Sequence, residues 1–543
     1  MARLLQIFGF LSVLLRGASL TFQSLTVGGV VFLCVILRKS SESSAEIKAS
    51  CLSWLRRFAM VLAAMQISYL VANSLILMES AQISLAQVSG ANFVLAGALG
   101  IAASLTIVVL STHPRAGSAG ELLLPAAAIL ASSVLTSHAM ARLEYRLLLV
   151  FATALHQLAT AAWLGGLPFL LIAIRRASSP ELARKLSARF SRLAVVSVAI
   201  LASAGVILSF SYVGSLKAIY GTSYGAMVAT KAILFGLLLF LGALNFQLVR
   251  QGEASSILAS LKRFREAEIG IGITVILVAA SLTSLPPAVD LLQDRVPASE
   301  VFARMTPRLP GFSSPAMKDL PEDIYAAQKM AFEVGSLSTE SFVPGQSGTR
   351  LNTPAEKAWS EYNHHWAGII VLSVGLLALL AQAGKISWAR NWPLLFLGLS
   401  VFLFLRSDPE VWPLGPNGFW VTFADPEVLV HRIFAGLVIA LAVFEWRVQT
   451  GRASSNVRLV FPMLVAVSGA LLLTHSHSLG NIKEEVLAEL SHIPLAVLAV
   501  MAGWSRWLEL RLPAENHTRA WLARLWPVCI TLIGVFLLNY REM

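Results

Sequence analysis

The sequence predicts an all-α fold, a polytopic integral membrane bundle of about fourteen transmembrane helices with the first eight arranged as two four-helix repeats. Three observations carry this expectation. Hydrophobic residues make up 56% of the chain and charged residues only 13%, whereas a soluble domain carries about 25% charged residues. The apolar residues come in runs of roughly 18–28, the length a helix needs to cross about 30 Å of hydrocarbon. Ten-residue alternating strand patterns are absent, which argues against a β-barrel. No water-soluble fold of 543 residues could hide so much apolar surface.

The expected spans run roughly over 9–37, 58–79, 91–111, 121–140, 147–174, 191–213, 225–249, 267–286, 365–384, 392–406, 430–447, 458–474, 489–510 and 525–540. The first run has some features of a secretory signal. Arg16 interrupts it and apolar character continues to Leu37, so it reads as an uncleaved first helix. The net charge of +12 is explained by Lys and Arg gathered in short loops, as the positive-inside rule requires, and not by nucleic acid. If the loop after the first span lies inside, so do Arg56, Arg57, Arg175, Arg176, Arg184, Lys185, Arg250 and Lys262. The short outer loops then hold only Arg142, Arg146, Lys217 and Lys483. The N-terminus is therefore expected outside.

The chain divides into an eight-helix domain over 1–286, an extracytoplasmic loop over 287–363 rich in Pro, Ser and charge, and a six-helix domain over 364–543. The two expected repeats show in Ser19…Gly28-Gly29…Phe32 against His156…Gly165-Gly166…Phe169, and in Arg57-Phe58-Ala59 against Arg192-Leu193-Ala194. An even number of helices per copy makes the copies parallel.

Lys and Arg alone set this topology, so the ten histidines test it independently. Eight fall at or near the outer face: His138, His156, His364, His365, His431, His475, His477 and His492. A single histidine near an interface is more often an interfacial polar residue than a ligand. Eight on one face are harder to set aside, because ionisable groups at membrane depth are costly. Imidazole suits copper, zinc, iron and nickel. The three cysteines are far apart, so a metal would rest on nitrogen with help from Met or carboxylate. The strongest local signal is His475-Ser476-His477 followed by Glu484, Glu485 and His492. Glu485 and His492 are spaced to share one helix face. The Arg432 charge beside His431 needs a partner, with Asp425 or Glu427 the candidates. Met140 is a soft ligand candidate next to His138, although packing is its commoner role. Lys231 lies inside the seventh span, where a buried lysine needs a carboxylate or carbonyl partner.

The stretch His156–Leu167, then Arg189-Phe190-Ser191-Arg192-Leu193-Ala194, then Thr222-Ser223-Tyr224-Gly225 and Lys231, resembles the copper resistance protein D (CopD) family. Ser137-His138-Ala139 ahead of His156 fits the same pattern, and the resemblance covers roughly 9–290. It implies a multi-pass protein of the bacterial inner membrane that passes copper inward from the periplasm. It also implies a periplasmic copper chaperone as a partner. By that resemblance His138 and His156 are copper contacts and Trp163 a neighbour. The sequence departs from the family pattern in the first helix, where Ser19 follows Arg16 at a place that often holds His. The last six helices match no part of the pattern.

The leading expectation is a copper transporter or copper-delivery protein, a carrier rather than an enzyme. Lys231, Trp163 and Met140 would line the path, and His138, His156, His364, His365, His431, His475, His477, Glu485 and His492 would meet the metal. Few Asp and Glu fall within the first eight spans, which argues against an obvious proton relay. No Walker motif supports ATP-driven pumping. The alternatives are a membrane copper or haem oxidoreductase with a redox centre near the outer face, and an assembly protein whose histidines sense pH.

Overall fold

Hydrocarbon offers no water to backbone N–H and C=O groups, so each spanning segment must satisfy them internally, as a helix does. A computed structural model describes residues 2–37, 44–112, 119–251, 255–316, 320, 354–384, 386–409, 411–415, 417–420, 426–454, 457–474 and 483–542. Among these residues the regular structure is helical, apart from one isolated bridge between Val411 and Asn417.

The first half contains α1 (Ala2–Val31, continued by a π turn Phe32–Leu37), α2 (Ser44–Ala81), α3 (Leu85–Ser89), α4 (Asn92–Leu110), α5 (Leu123–Leu135) and α6 (His138–Ala141). Then come α7 (Arg146–Thr160, continued by a π turn Ala161–Gly165), α8 (Leu167–Arg175), α9 (Pro180–Val213), α10 (Leu216–Gly221), α11 (Ser223–Gln251) and α12 (Ser255–Leu282). The second half holds α13 (Ala298–Met305), α14 (Pro354–Gln382), α15 (Leu395–Arg406), α16 (Pro426–Gln449), α17 (Val460–Leu472), α18 (Lys483–Arg511) and α19 (His517–Leu538). Local chemistry sets several ends. Ser179 caps α9 by accepting from the Leu182 N–H, and Pro180 opens its first turn. Gly214, at φ +72°, ends the same helix in the left-handed region that glycine alone adopts cheaply.

Ten described helical stretches are long and apolar enough to cross a membrane, and Gly120–Leu135 and Val457–Leu472 are shorter apolar helices. The two remaining expected spans, 267–286 and 430–447, fall largely within α12 and α16. The first half of α12 carries Lys262, Arg263, Arg265, Glu266 and Glu268, so its apolar character begins only at Ile269. Large apolar side chains such as Leu124 and Phe210 are 80% and 77% exposed. Such exposure is tolerable where lipid and not water is the solvent.

The chain forms two compact units: Phe8–Ile219 with Met227–Gln293, and Met1–Ile7 with Tyr220–Ala226 and Asp294–Met543. In the first unit two spans are central. The windows within Leu11–Leu37 and Arg146–Arg175 are each 72% buried, against 17% for Pro180–Val213. These central spans touch at glycine. A Cβ on Gly165 would overlap the Ser24 carbonyl, and one on Gly28 would overlap Ala161 and Gly165. Small residues let helices approach this closely in membranes. Beside the contact, Phe32 and Phe169 rings lie 6.2 Å apart, and Phe58 meets Phe169 edge-on at 5.8 Å.

In the second unit, Gly368 and Gly375 of α14 meet the backbone of α19, and Gly534 of α19 meets Leu372. Gly469 and Gly503 do the same for α17 and α18. Trp392, Phe461, Trp526 and Cys529 form the buried cluster between these pairs.

Because Gly165 has no room for a methyl, Gly165→Ala is expected to lower the melting temperature of the purified protein by overpacking worth about 1–3 kcal/mol. Gly236, where an added methyl would meet nothing within 4 Å, serves as the matched comparison. Its change to alanine should leave the melting temperature unchanged or raised.

Candidate functional site

The polar side chains of the first unit follow one another along its helices. His138 opens α6, where its Nε2 lies 3.4 Å from the Leu282 carbonyl at the end of α12. Its ring meets Tyr212 edge-on at 6.2 Å. Arg142 closes this region through a two-bonded ion pair with Asp290, at 2.8 and 2.7 Å. The Met140 sulfur lies 4.0 Å from the Arg146 guanidinium, so a cation stands beside the thioether.

The sequence puts His156 near the opening of the fifth span. The helix begins at Arg146, within a residue of the expected bound at 147, so His156 stands about ten residues in, roughly 15 Å along α7. Its Nε2 faces the Lys231 ammonium at 3.5 Å. Lys231 sits about eight residues into α11, roughly 12 Å along it. The partner of the membrane lysine is thus an imidazole, not the carboxylate or carbonyl expected. The His156 Nδ1 looks toward the Leu201 carbonyl of α9 without reaching hydrogen-bond geometry. Gly205 of α9 packs beside the ring, where an added Cβ would make ordinary contact at 3.6 Å from Cε1. Gln157, the next residue, accepts a hydrogen bond from Gln23 Nε2 at 3.1 Å, linking α7 to α1.

Further along, Trp163 sits in the π turn and is 2% exposed. Its Nε1 donates to Glu268 Oε1 at 2.8 Å, and Asn245 Nδ2 donates to Glu268 Oε2 at 2.8 Å. Glu268 and Arg265 are both buried on α12, and Arg265 also reaches Ser187 Oγ at 3.3 Å. The Asn245 Oδ1 is buried without a partner. Sequence reasoning missed Glu268 because it falls at the start of the eighth expected span. A carboxylate there, with Trp163 and Asn245 also at membrane depth, was the available signal. π turns inside helices often mark functional positions.

The second unit brings other candidates together. The His364 ring stacks on Tyr540 with centroids 3.7 Å apart, and His492 meets Tyr540 edge-on at 5.5 Å. The two imidazole centroids are 6.4 Å apart. Each Nδ1 approaches the carbonyl four residues earlier, Ser360 for His364 and Ala488 for His492, both at 2.8 Å. A proton on Nδ1 leaves the Nε2 lone pair for a ligand role. His365 differs, because both its nitrogens face carbonyls, Gly311 at 2.9 Å and Tyr540 at 3.1 Å. It fastens the chain around residue 311 and the C-terminal segment to α14. His431 Nδ1 pairs with Asp408 Oδ1 at 2.7 Å, the carboxylate–imidazole arrangement that orients metal ligands. Arg432 donates to the carbonyls of Phe404 and Trp412, with its guanidinium 4.0 Å from the Phe404 ring centre. His475, His477 and the side chains of Glu485, Asp425 and Glu427 lie outside the described residues. Among the described residues, no group of three or more His, Cys, Asp or Glu side chains is gathered as a metal centre would need.

A bundle of long apolar helices closing around buried polar side chains defines a multi-pass helical membrane protein. Residues 184–282 match the model of the family Copper resistance protein D, so over that segment the chain is similar to that family. The protein named Copper transport protein CutJ, from Bacillus subtilis (strain 168), is 29% identical over 203 residues. That match covers 36% of this chain and 37% of CutJ, so the chain spans little more than a third of that relative. No solved structure matches.

The Glu268 carboxylate depends on both its donors. Trp163→Phe leaves one buried oxygen without a partner, an expected destabilisation of about 1–3 kcal/mol. In a double-mutant cycle with Glu268→Leu, thermal or denaturant unfolding should show non-additive coupling of about 0.5–3 kcal/mol. Additive effects would show that the two side chains do not depend on one another.

Proposed function

We propose that this chain is a copper transport or delivery protein of the bacterial inner membrane. In this reading all fourteen expected spans cross the bilayer, the N-terminus is outside, and the first eight helices are two parallel copies of a four-helix unit. The contact of Gly28 with Gly165, and of Phe32 with Phe169, supports the repeat, because matched positions meet one another about a two-fold axis. Copper is the cargo. A copper chaperone on the outer side is its source.

The observation that carries the reading is the His156–Lys231 pair at depth within the CopD-like unit. Ionisable side chains inside a membrane bundle mark pathways. His138, near one end of the unit, is the entry ligand. His156 is the deep ligand, and Trp163 with Glu268 stands farther along α7 and α12. His364, His431, His475, His477 and His492, with Glu485, collect copper at the outer face of the second unit. His364 and His492 offer the tautomer that a metal needs, whereas His365 serves as a clasp.

Lys231 supplies the release step. Its ammonium stands where copper would bind on His156 Nε2, so loading displaces Lys231 and its return expels the ion. Two unit charges about 3.5 Å apart repel by several kcal/mol even at an effective dielectric near 20.

The test is copper uptake into proteoliposomes, paired with copper content of the detergent-solubilised protein. His156→Ala should cut uptake by at least about tenfold, equivalent to losing one ligand worth more than about 1.4 kcal/mol. Lys231→Met should retain copper more tightly while slowing turnover. Uptake unchanged in His156→Ala would overturn this assignment of the path.

A further inference from the structure

The second unit buries an uneven set of charges away from its histidines. Glu445 of α16 is fully buried, and Arg506 and Glu509 of α18 are 5% and 9% exposed. Arg506 donates through Nη1 to Glu509 Oε2 at 2.7 Å and through Nη2 to Glu445 Oε1 at 3.2 Å. Gln449 Nε2 donates to Glu445 Oε1 at 2.7 Å, and Gln382 Nε2 donates to Glu509 Oε1 at 3.3 Å. The guanidinium lies 5.1 Å from the centre of the Trp526 ring. The charged groups acting on Glu445 are Arg506 and Glu509. Packed against them, α14 contributes the neutral Gln382 and α19 the neutral Trp526.

Two carboxylates therefore face one guanidinium. Three of the four carboxylate oxygens accept hydrogen bonds. The fourth, Glu445 Oε2, is buried and has no partner. A surplus charge in this environment is costly, and an isolated buried carboxylate neutralises instead. A metal cation would need several oxygen ligands in a defined geometry. One open oxygen beside a guanidinium offers no such set, but it suits a proton.

We propose that the Glu445–Arg506–Glu509 cluster is a proton-binding site that holds one exchangeable proton, carried on Glu445 Oε2. The step is a simple transfer: a water-borne proton adds to the Glu445 carboxylate to give the neutral acid, and leaves by the reverse route. Gln382 is the last residue of α14, and Glu445 and Glu509 lie within the last turns of α16 and α18. The site thus sits near helix ends, within reach of water. It shares no residue with the His156–Lys231 path and stands whether or not the chain carries copper.

The test is infrared spectroscopy of the full-length protein in lipid, titrated with pH and exchanged into D2O. Wild type should show the carbonyl stretch of a buried protonated carboxyl, shifted on deuteration. Glu445→Gln should remove that band. Glu509→Gln should also remove it, because one carboxylate then balances one guanidinium. Arg506→Gln should enlarge it. If Arg506→Gln does not fold, the two isosteric Gln variants carry the comparison. Absence of the band in wild type, or its persistence in both Gln variants, would overturn the proposal. So would a melting temperature that follows Na+ or K+ concentration and ignores pH.

Discussion

The carboxylate of Glu268, held between the Trp163 indole and the Asn245 amide, is the interaction on which the first unit depends. It joins the π turn after α7 to α11 and α12, the helices that bear Lys231 and the Leu282 carbonyl. In a lipid-solvated bundle such a group cannot turn to water, so its partners fix the helices that supply them. The π turn serves two contacts at once. It aims Trp163 at Glu268, and it presents Gly165 to Ser24 of α1 with no side chain in the way. Two turns earlier on the same helix, His156 is thereby held against Lys231.

The two units deploy their polar side chains differently. In the first, His138, then His156 with Lys231, then Trp163 with Glu268 and Asn245 stand at successive depths along α7, α11 and α12. In the second, the His364 and His492 rings meet Tyr540, while the Glu445–Arg506–Glu509 cluster occupies the far ends of α16 and α18. His365 shows why residue type alone misleads. It sits next to His364 in sequence, yet both its nitrogens are taken by backbone carbonyls.

Much of the fold was legible in the sequence, because apolar run length and helix propensity act locally and every expected span falls largely on helix. What escaped was depth. Hydropathy marks where a run becomes apolar, not where its helix begins. The apolar run that begins at 365 thus hides that α14 begins at Pro354, well ahead of His364. Glu268 was lost for a related reason: charges on the first half of α12 pushed the expected span boundary onto it. The pairing of Lys231 with an imidazole joins residues far apart in sequence, which no local pattern encodes.

The central claim is that His156 is the deep copper ligand. X-ray absorption at the copper edge, on Cu(I)-loaded protein and on His156→Ala, tests it most directly. The wild type should show nitrogen-dominated coordination, and the variant should lose a nitrogen scatterer and bind copper at lower occupancy. An unchanged spectrum and unchanged copper content in His156→Ala would contradict it and move the deep site away from the His156–Lys231 pair.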